Sequence, residues 1–271
     1  MQPLRVLAVG DLRHREFAEP REVIEATSEL VAVAEVSAAL AMLAASGDAP
    51  DVIVLAQQWP GQFQLAQVDA LRRSAPLARP VALLGSWCEG ETRTGRPWPA
   101  VTRVFWYQWA TWWPRQAERH QRGQCPSWGL PVTATLEDHA EAAPRGAEET
   151  RQGLVAVHTP HRETAESLGD ALCQRGYAAD WIVPRETVRL RGVAAILWDG
   201  KLYDDRELAA IGRLRNKLQG AAVVALADFP RIDLARKLSR AGAGFVVGRP
   251  FSLDELFGRL DQAIAGRLCP V

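Results

Sequence analysis

Ten short runs of apolar, largely branched residues, five on each side of a long polar stretch, constrain what this chain can fold into more than any other feature. In the second half the runs are GLVAV (153–157), AADWIV (178–183), VAAILW (193–198), AAVVAL (221–226) and AGFVV (243–247). Most are continuously apolar rather than alternating, the pattern of a strand covered on both faces. The segments between them repeat at helical spacing instead: Leu208, Ile211 and Leu218, then Ile232, Ala235 and Leu238, then Leu253, Leu256, Phe257, Leu260 and Ile264. Gly220 and Gly242 stand where helices end on glycine, and Ser252 with Glu255 makes the Ser-x-x-Glu pattern that opens one. Strands alternating with helices predict βαβ units around a parallel sheet.

The first half keeps the same rhythm with LRVLAV (4–9), LVAVAEV (30–36), DVIVLA (51–56), PVALLG (80–85) and TRVFWY (102–107). SAALAMLAA and QVDALRRSA read as helices. SWCEGETRTGRPWPAV, between the fourth and fifth runs, is too rich in Gly and Pro for one and predicts a loop in place of a helix. From 120 to 152 no apolar period is sustained, so that stretch reads as a linker between a domain over 1–119 and a second over 153–271. With 271 residues the chain has room for two domains, and its 48% hydrophobic and 24% charged residues suit packed cores. Its 32 cationic and 32 anionic side chains leave no net field to draw in nucleic acid or an anionic membrane. No apolar segment is long enough for a membrane helix or a signal peptide, so a cytoplasmic protein is expected. Cys88, Cys125, Cys173 and Cys269 have neither the paired spacing of a zinc site nor the density of a disulfide framework.

The stretch VVGRPFSLDELFGRL (246–260), preceded by DLARKLSRAGAG, resembles the receiver domain of bacterial two-component response regulators. The likeness covers residues 153 to about 266 and, more weakly, 3–119, where DVIVLA is followed by Pro60-Gly61. It implies an α/β protein of two tandem flavodoxin-like domains, each a five-stranded parallel sheet with helices on both faces. It also implies a chemistry: an acidic pair after the first strand to hold Mg²⁺, an acceptor Asp after the third, a Thr or Ser after the fourth and a Lys after the fifth. A carboxylate attacks a phosphoryl group only where cations neutralise the crowded negative charge. Laid on the second half, the pair falls on His158 and Thr159, the acceptor on Asp199, the hydroxyl on Ala227 and the lysine on Arg249. On the first half the pair becomes Gly10 and Asp11, the acceptor Ala56, the hydroxyl Gly85 or Ser86, and the lysine Tyr107 or Gln108. The second half keeps only the acceptor, and the first loses the acceptor itself. The resemblance therefore implies degenerate pseudo-receivers that need no cofactor, with Mg²⁺ entering only if Asp199 takes a phosphoryl group.

His158, Asp199 and Asp228 fall at carboxyl ends of strands, where open α/β sheets bind ligands; they could take a transition metal, or His158 and Asp199 could bond to each other while Asp228 caps a helix. Gly-rich phosphate loops, a nucleophile elbow and a HExxH helix are missing, so a non-enzyme is expected. Seven of the 10 tryptophans lie between residues 59 and 113. Trp106 and Trp109 read as core. Trp59, Trp87 and Trp98, among Gly, Pro and charge, read as an interaction surface with Arg93 and Arg96, and Glu89 and Glu91 complete its rim. The reading is a signalling protein of tandem pseudo-receiver domains acting on protein partners, neither nucleic acid nor membrane, and compatible with a homodimer. Its alternatives are a phosphorelay regulator using Asp199, and a small-molecule binder or enzyme at the Trp-lined edge of the first domain. The pseudo-receiver reading expects Asp199→Asn to leave stability almost unchanged.

Overall fold

In the computed structural model, which describes residues 3–45, 49–130, 134, 153–184, 190–201 and 203–266, each of the ten apolar runs contributes a strand. The chain divides into two units, Met1–Pro144 and Arg145–Val271. The first runs β1 (Leu4–Val9), α1 (Ala18–Thr27), β2 (Ser28–Val33), α2 (Val36–Ala45), β3 (Val52–Gln57), α3 (Leu65–Ser74), β4 (Arg79–Leu84), α4 (Glu91–Thr94), β5 (Thr102–Phe105) and α5 (Trp106–Gln121). Its strands are all parallel, in the order β2-β1-β3-β4-β5. This is the doubly wound order of flavodoxin-like folds. Every residue of β3, VIVLAQ, is buried, as a central parallel strand with helices on both faces requires.

One face of that sheet carries Leu7, Val9, Ile53, Leu55 and Leu84 against Val36 and Ala39 of α2 and Val68 and Leu71 of α3. The other is covered by α1 and α5, which pack on each other. Here the structure corrects the sequence reading twice. TRVFWY is not one strand: β5 stops at Phe105, and α5 starts at once with Trp106. Helix α5 then buries Trp106, Trp109, Ala110, Trp113 and Ala117, a helical stripe whose aromatic content, with Pro114 inside, hid its period. The linker also begins later than residue 120. Trp128 is buried, its ring 5.1 Å from Trp113 and 5.5 Å from Trp112, so residues 120–130 belong to the first unit. Apart from Ala134, residues 131–152 lie outside the described part.

The second unit runs β6 (Leu154–His158), α6 (Arg162–Gln174), β7 (Ala178–Ile182), β8 (Val193–Asp199), α7 (Asp205–Lys217), β9 (Ala222–Asp228), α8 (Ile232–Ala241), β10 (Phe245–Arg249) and α9 (Leu253–Ile264). Its sheet, β10-β9-β8-β6-β7, repeats the first topology. Leu168 and Leu172 of α6 with Leu256, Phe257 and Leu260 of α9 cover Val155, Val157, Leu197 and Val247. Ile211 and Leu214 of α7 with Leu238 of α8 cover Ile196, Trp198 and Val223 on the opposite face. Helix α8 ends on Gly242 at φ +100°, a left-handed backbone that side chains disfavour, and α9 opens where Ser252 accepts from the Glu255 N–H at 3.2 Å.

Candidate functional site

The doubly wound sheet brings the ends of β6, β8, β9 and β10 to one edge of the second unit, and with them Thr159, Asp199, Asp228 and Arg249. Arg249, the last residue of β10, reaches back over the edge. Its Nη1 pairs with Asp199 Oδ1, its Nε donates to Asp228 Oδ1 at 2.7 Å, and its Nη2 donates to the carbonyls of Gly200 (3.0 Å) and Leu226 (3.2 Å). The second oxygen of Asp199 accepts from the fully buried Thr159 hydroxyl at 2.7 Å. Both carboxylate oxygens are thus engaged, in a side chain only 8% exposed. A guanidinium suits this role, since its fork donates to several acceptors and holds its proton under all ordinary conditions. Burial opposes its charge, yet Asp199 and Asp228 together carry the Arg249 pKa above its ordinary value.

His158 does not meet Asp199 through a hydrogen bond, contrary to that expectation. Its ring lies flat on Trp198, centroids 3.7 Å apart, with Nδ1 buried and making no hydrogen bond, and burial lowers its pKa from the ordinary 6.5. Nor does Asp228 cap a helix: its described bond is to Arg249. The sequence reading also missed Tyr203 and Glu207. Tyr203 sits at φ +49° and sends its hydroxyl to the Leu226 carbonyl at 2.7 Å, passing so close to Gly200 that a Cβ there would lie 2.2 Å from the ring. Glu207 accepts from Trp198 Nε1 (3.1 Å), Lys201 N (3.2 Å) and Tyr203 N (2.6 Å), fixing the loop that follows Asp199. Only the Gly200 of the WDG turn hinted at this close packing.

Strand register lets the two units be compared position by position. Asp199 pairs with Leu226, and Leu226 with Val247; in the first unit Gln57 pairs with Leu84, and Leu84 with Phe105. Gln57 therefore stands where Asp199 stands, Gly85 where Ala227 stands and Tyr107 where Arg249 stands. His158 opposite Trp198 and Val9 opposite Leu55 likewise align Gly10 with His158 and Asp11 with Thr159. This corrects the acceptor place from Ala56 to its neighbour, because β3 continues one residue past DVIVLA. It also chooses Gly85 over Ser86 and Tyr107 over Gln108. The first unit thus has an amide in the central place and a phenol in the cationic one.

That amide is fully buried: Gln57 Nε2 donates to the Trp59 carbonyl (3.1 Å) and Glu91 Oε1 (3.2 Å), while Arg103 Nη2 holds Glu91 Oε2 at 2.7 Å. Glu16 is buried nearby, accepting from Ser86 Oγ at 2.6 Å and Ser86 N at 3.1 Å, and Ser86 in turn accepts from Trp106 Nε1 at 3.0 Å. Gly85 permits this, as a Cβ there would stand 2.7 Å from the Glu16 carboxylate. Tyr107 donates to Glu89 at 2.7 Å, and burial raises the Glu89 pKa while that bond lowers it. Asp11 is exposed and caps the turn at Arg13 N, 2.9 Å away. Cys88 is buried, its thiol pushed up to about 12 by desolvation first and Glu91 second.

The expected interaction surface divides into exposed and buried side chains. Trp87 is 66% exposed and Trp59 51%, with Arg93 and Arg96 exposed in the segment that follows Trp87. Trp98 is core instead, buried against Phe63 with ring centroids 6.1 Å apart, because the shortened α4 leaves the top of the sheet to be covered by an aromatic ring. Glu91 and Glu89 are likewise drawn inward, to Arg103 and Tyr107, rather than forming a rim.

Mg²⁺, which the receiver resemblance implies, does not fit the residues present. Hard cations need several oxygen ligands, and here one Asp199 oxygen faces a guanidinium and the other a hydroxyl, with His158 and Thr159 in the acidic places. Among the described residues no group of three or more His, Cys, Asp or Glu side chains is placed to hold a metal ion, and no helix is long and apolar enough to cross a membrane.

No protein-family model and no curated protein matches the chain. Among solved structures it is similar to a response regulator from Thermotoga maritima, at 23% identity over 42% of this chain and 99% of the other, with a TM-score of 0.38. It is also similar to a putative pilus assembly protein from Burkholderia thailandensis (21% identity, 41% of this chain and 99% of that one, TM-score 0.37). A third is chemotaxis protein CheY4 of Vibrio cholerae (15% identity, 42% and 99%, TM-score 0.37).

Proposed function

We propose that the chain is a non-catalytic signalling protein, two pseudo-receiver units in tandem, that acts on protein partners in the cytoplasm rather than by phosphoryl transfer. The observation that carries this reading is Arg249. In a phosphoryl acceptor site the carboxylate must present a free oxygen to the phosphorus while a metal ion gathers the transferred charge. In this chain a resident guanidinium takes the counter-charge role, and Thr159 engages the remaining oxygen. In the first unit Gln57 has no carboxylate to offer. Exposed Trp59 and Trp87, and the exposed Arg93 and Arg96 on the segment after β4, support a protein-binding role for the edge of the first sheet, since aromatic and Arg side chains dominate binding hot spots.

The decisive experiment is incubation with acetyl phosphate and Mg²⁺, followed by intact-mass measurement. No phosphorylated species is expected from the wild-type chain. A phosphorylated species that disappears in Asp199→Asn overturns the proposal in favour of the phosphorelay reading.

A further inference from the structure

We propose that the first unit pairs with a second copy of the chain through β2 and α2, across a two-fold axis perpendicular to the sheet. This is independent of the fate of Asp199. Strand β2 is an edge, so among the described residues one row of its backbone N–H and C=O groups has no strand beside it. Edges are usually guarded by charge or proline, but SELVAV holds a single charge, Glu29, and leaves Val31 47% exposed. Helix α2, VSAALAMLAA, lies beside this edge without one charged residue, yet Ser37, Ala38, Ala41, Met42, Ala44 and Ala45 are exposed. A helix apolar all round is ordinarily a buried helix. Val31 and Met42 also line one small cavity of about 190 Å³, with Leu43, Val6 and Leu7, so strand edge and helix form one continuous apolar surface.

The charges and the pleat favour a second copy as the occupant. Register pairs Arg5 with Glu29, Leu7 with Val31 and Val9 with Val33. Leu7 and Val9 belong to the core under α2, so Glu29, Val31 and Val33 lie on the α2 face of the sheet. A two-fold perpendicular to the sheet keeps faces together, and in an antiparallel β2 pair centred on Val31 that residue meets its own copy. Glu29 then meets Val33, the two Glu29 side chains stand apart, and the rim holds Arg5, Glu29 and, just past the end of the strand, the exposed Glu35 in each copy. No two like charges stand directly opposite; Glu35 of one copy is only diagonal to Glu29 of the other, whose own Arg5 lies beside it in register, and the neutral α2 helices approach on small residues. A self-complementary patch of this kind is what an isologous dimer requires. A strand edge and a ten-residue helix make less than a standard interface, so the dimer is expected to be weak, with a Kd of roughly micromolar order.

The test is sedimentation equilibrium of the full chain from about 1 to about 200 µM, a range that brackets such a Kd. Reversible dimerisation is expected, weakened at least about tenfold by Met42→Glu and by Val31→Glu, each checked for a wild-type circular dichroism spectrum. Should one variant misfold, Ala38→Arg on the exposed helix face replaces it. A chain that stays monomeric throughout, or a dimer indifferent to correctly folded variants, overturns the proposal.

Discussion

Arg249 is the side chain on which the carboxylates at the edge of the second sheet converge. It binds two carboxylates and two carbonyls from the carboxyl ends of β8 and β9, so the edge of the second sheet is held by a fixed internal cation. This revises the expectation that Asp199→Asn is silent. Replacing a buried, doubly bonded carboxylate leaves the guanidinium with only the exposed Asp228 as counter-charge. A loss of about 1–3 kcal/mol in urea-unfolding free energy is expected, below the cost for a fully buried pair because Arg249 keeps 29% exposure. Unfolding curves indistinguishable from wild type would mean the contact contributes nothing. His158 sets a pH dependence at the same edge. Its folded pKa lies below the unfolded value, so its contribution to stability is complete above about pH 6.5 and is lost as pH falls through the lowered folded value. His158→Phe keeps the ring on Trp198 and removes the titration. The variant should lose less stability than wild type between about pH 7 and pH 5, and equal slopes would remove His158 from that account.

At the scale of elements, α5 and the shortened α4 divide the tryptophans into two kinds. Trp109 and Trp113 are fully buried and stacked at 5.2 Å, and Trp113 Nε1 donates to Thr27 at 2.9 Å, tying α5 to α1. Trp113→Ala is therefore expected to cost about 3–5 kcal/mol, against about 0.5 kcal/mol or less for exposed Trp87→Ala. Thermal melts of the two variants side by side decide the matter. If Trp87→Ala is the more damaging, the loop of residues 86–90 is structural and the proposed binding surface must be moved. The same division explains why composition alone misplaced Trp98: a tryptophan beside Gly and Pro looks solvent-facing, but the ring fills the space over Phe63 that a full-length fourth helix would otherwise cover.

At the scale of the whole molecule, the units share one topology and differ at the central place of the sheet edge, which holds an amide in one and a carboxylate paired with a guanidinium in the other. The first unit is expected to need residues 120–130, because Trp128 closes the aromatic stack on α5. A fragment ending at residue 119 should be less stable than one ending at 132 by about 2–3 kcal/mol, the scale of one buried aromatic side chain. Equal melting temperatures for the two fragments would restore the earlier boundary.

What the sequence by itself determined is the pair of parallel sheets, because continuous apolar runs spaced by helical segments can be buried in few other ways. Asp199, Arg249 and the cap at Ser252 were likewise legible, since each follows from its place along one strand or helix. Only the tertiary structure decided that Gln57 rather than Ala56 occupies the central place, for register is a relation between strands and a one-residue shift leaves local composition almost unchanged. Only it showed that Arg249 grips Asp199 and Asp228, that Glu16 holds Ser86, and that Glu91 turns inward to Gln57 and Arg103. Those partners are separated by 12 to 70 residues in the chain, and nothing in a local pattern records which distant group completes a buried polar one.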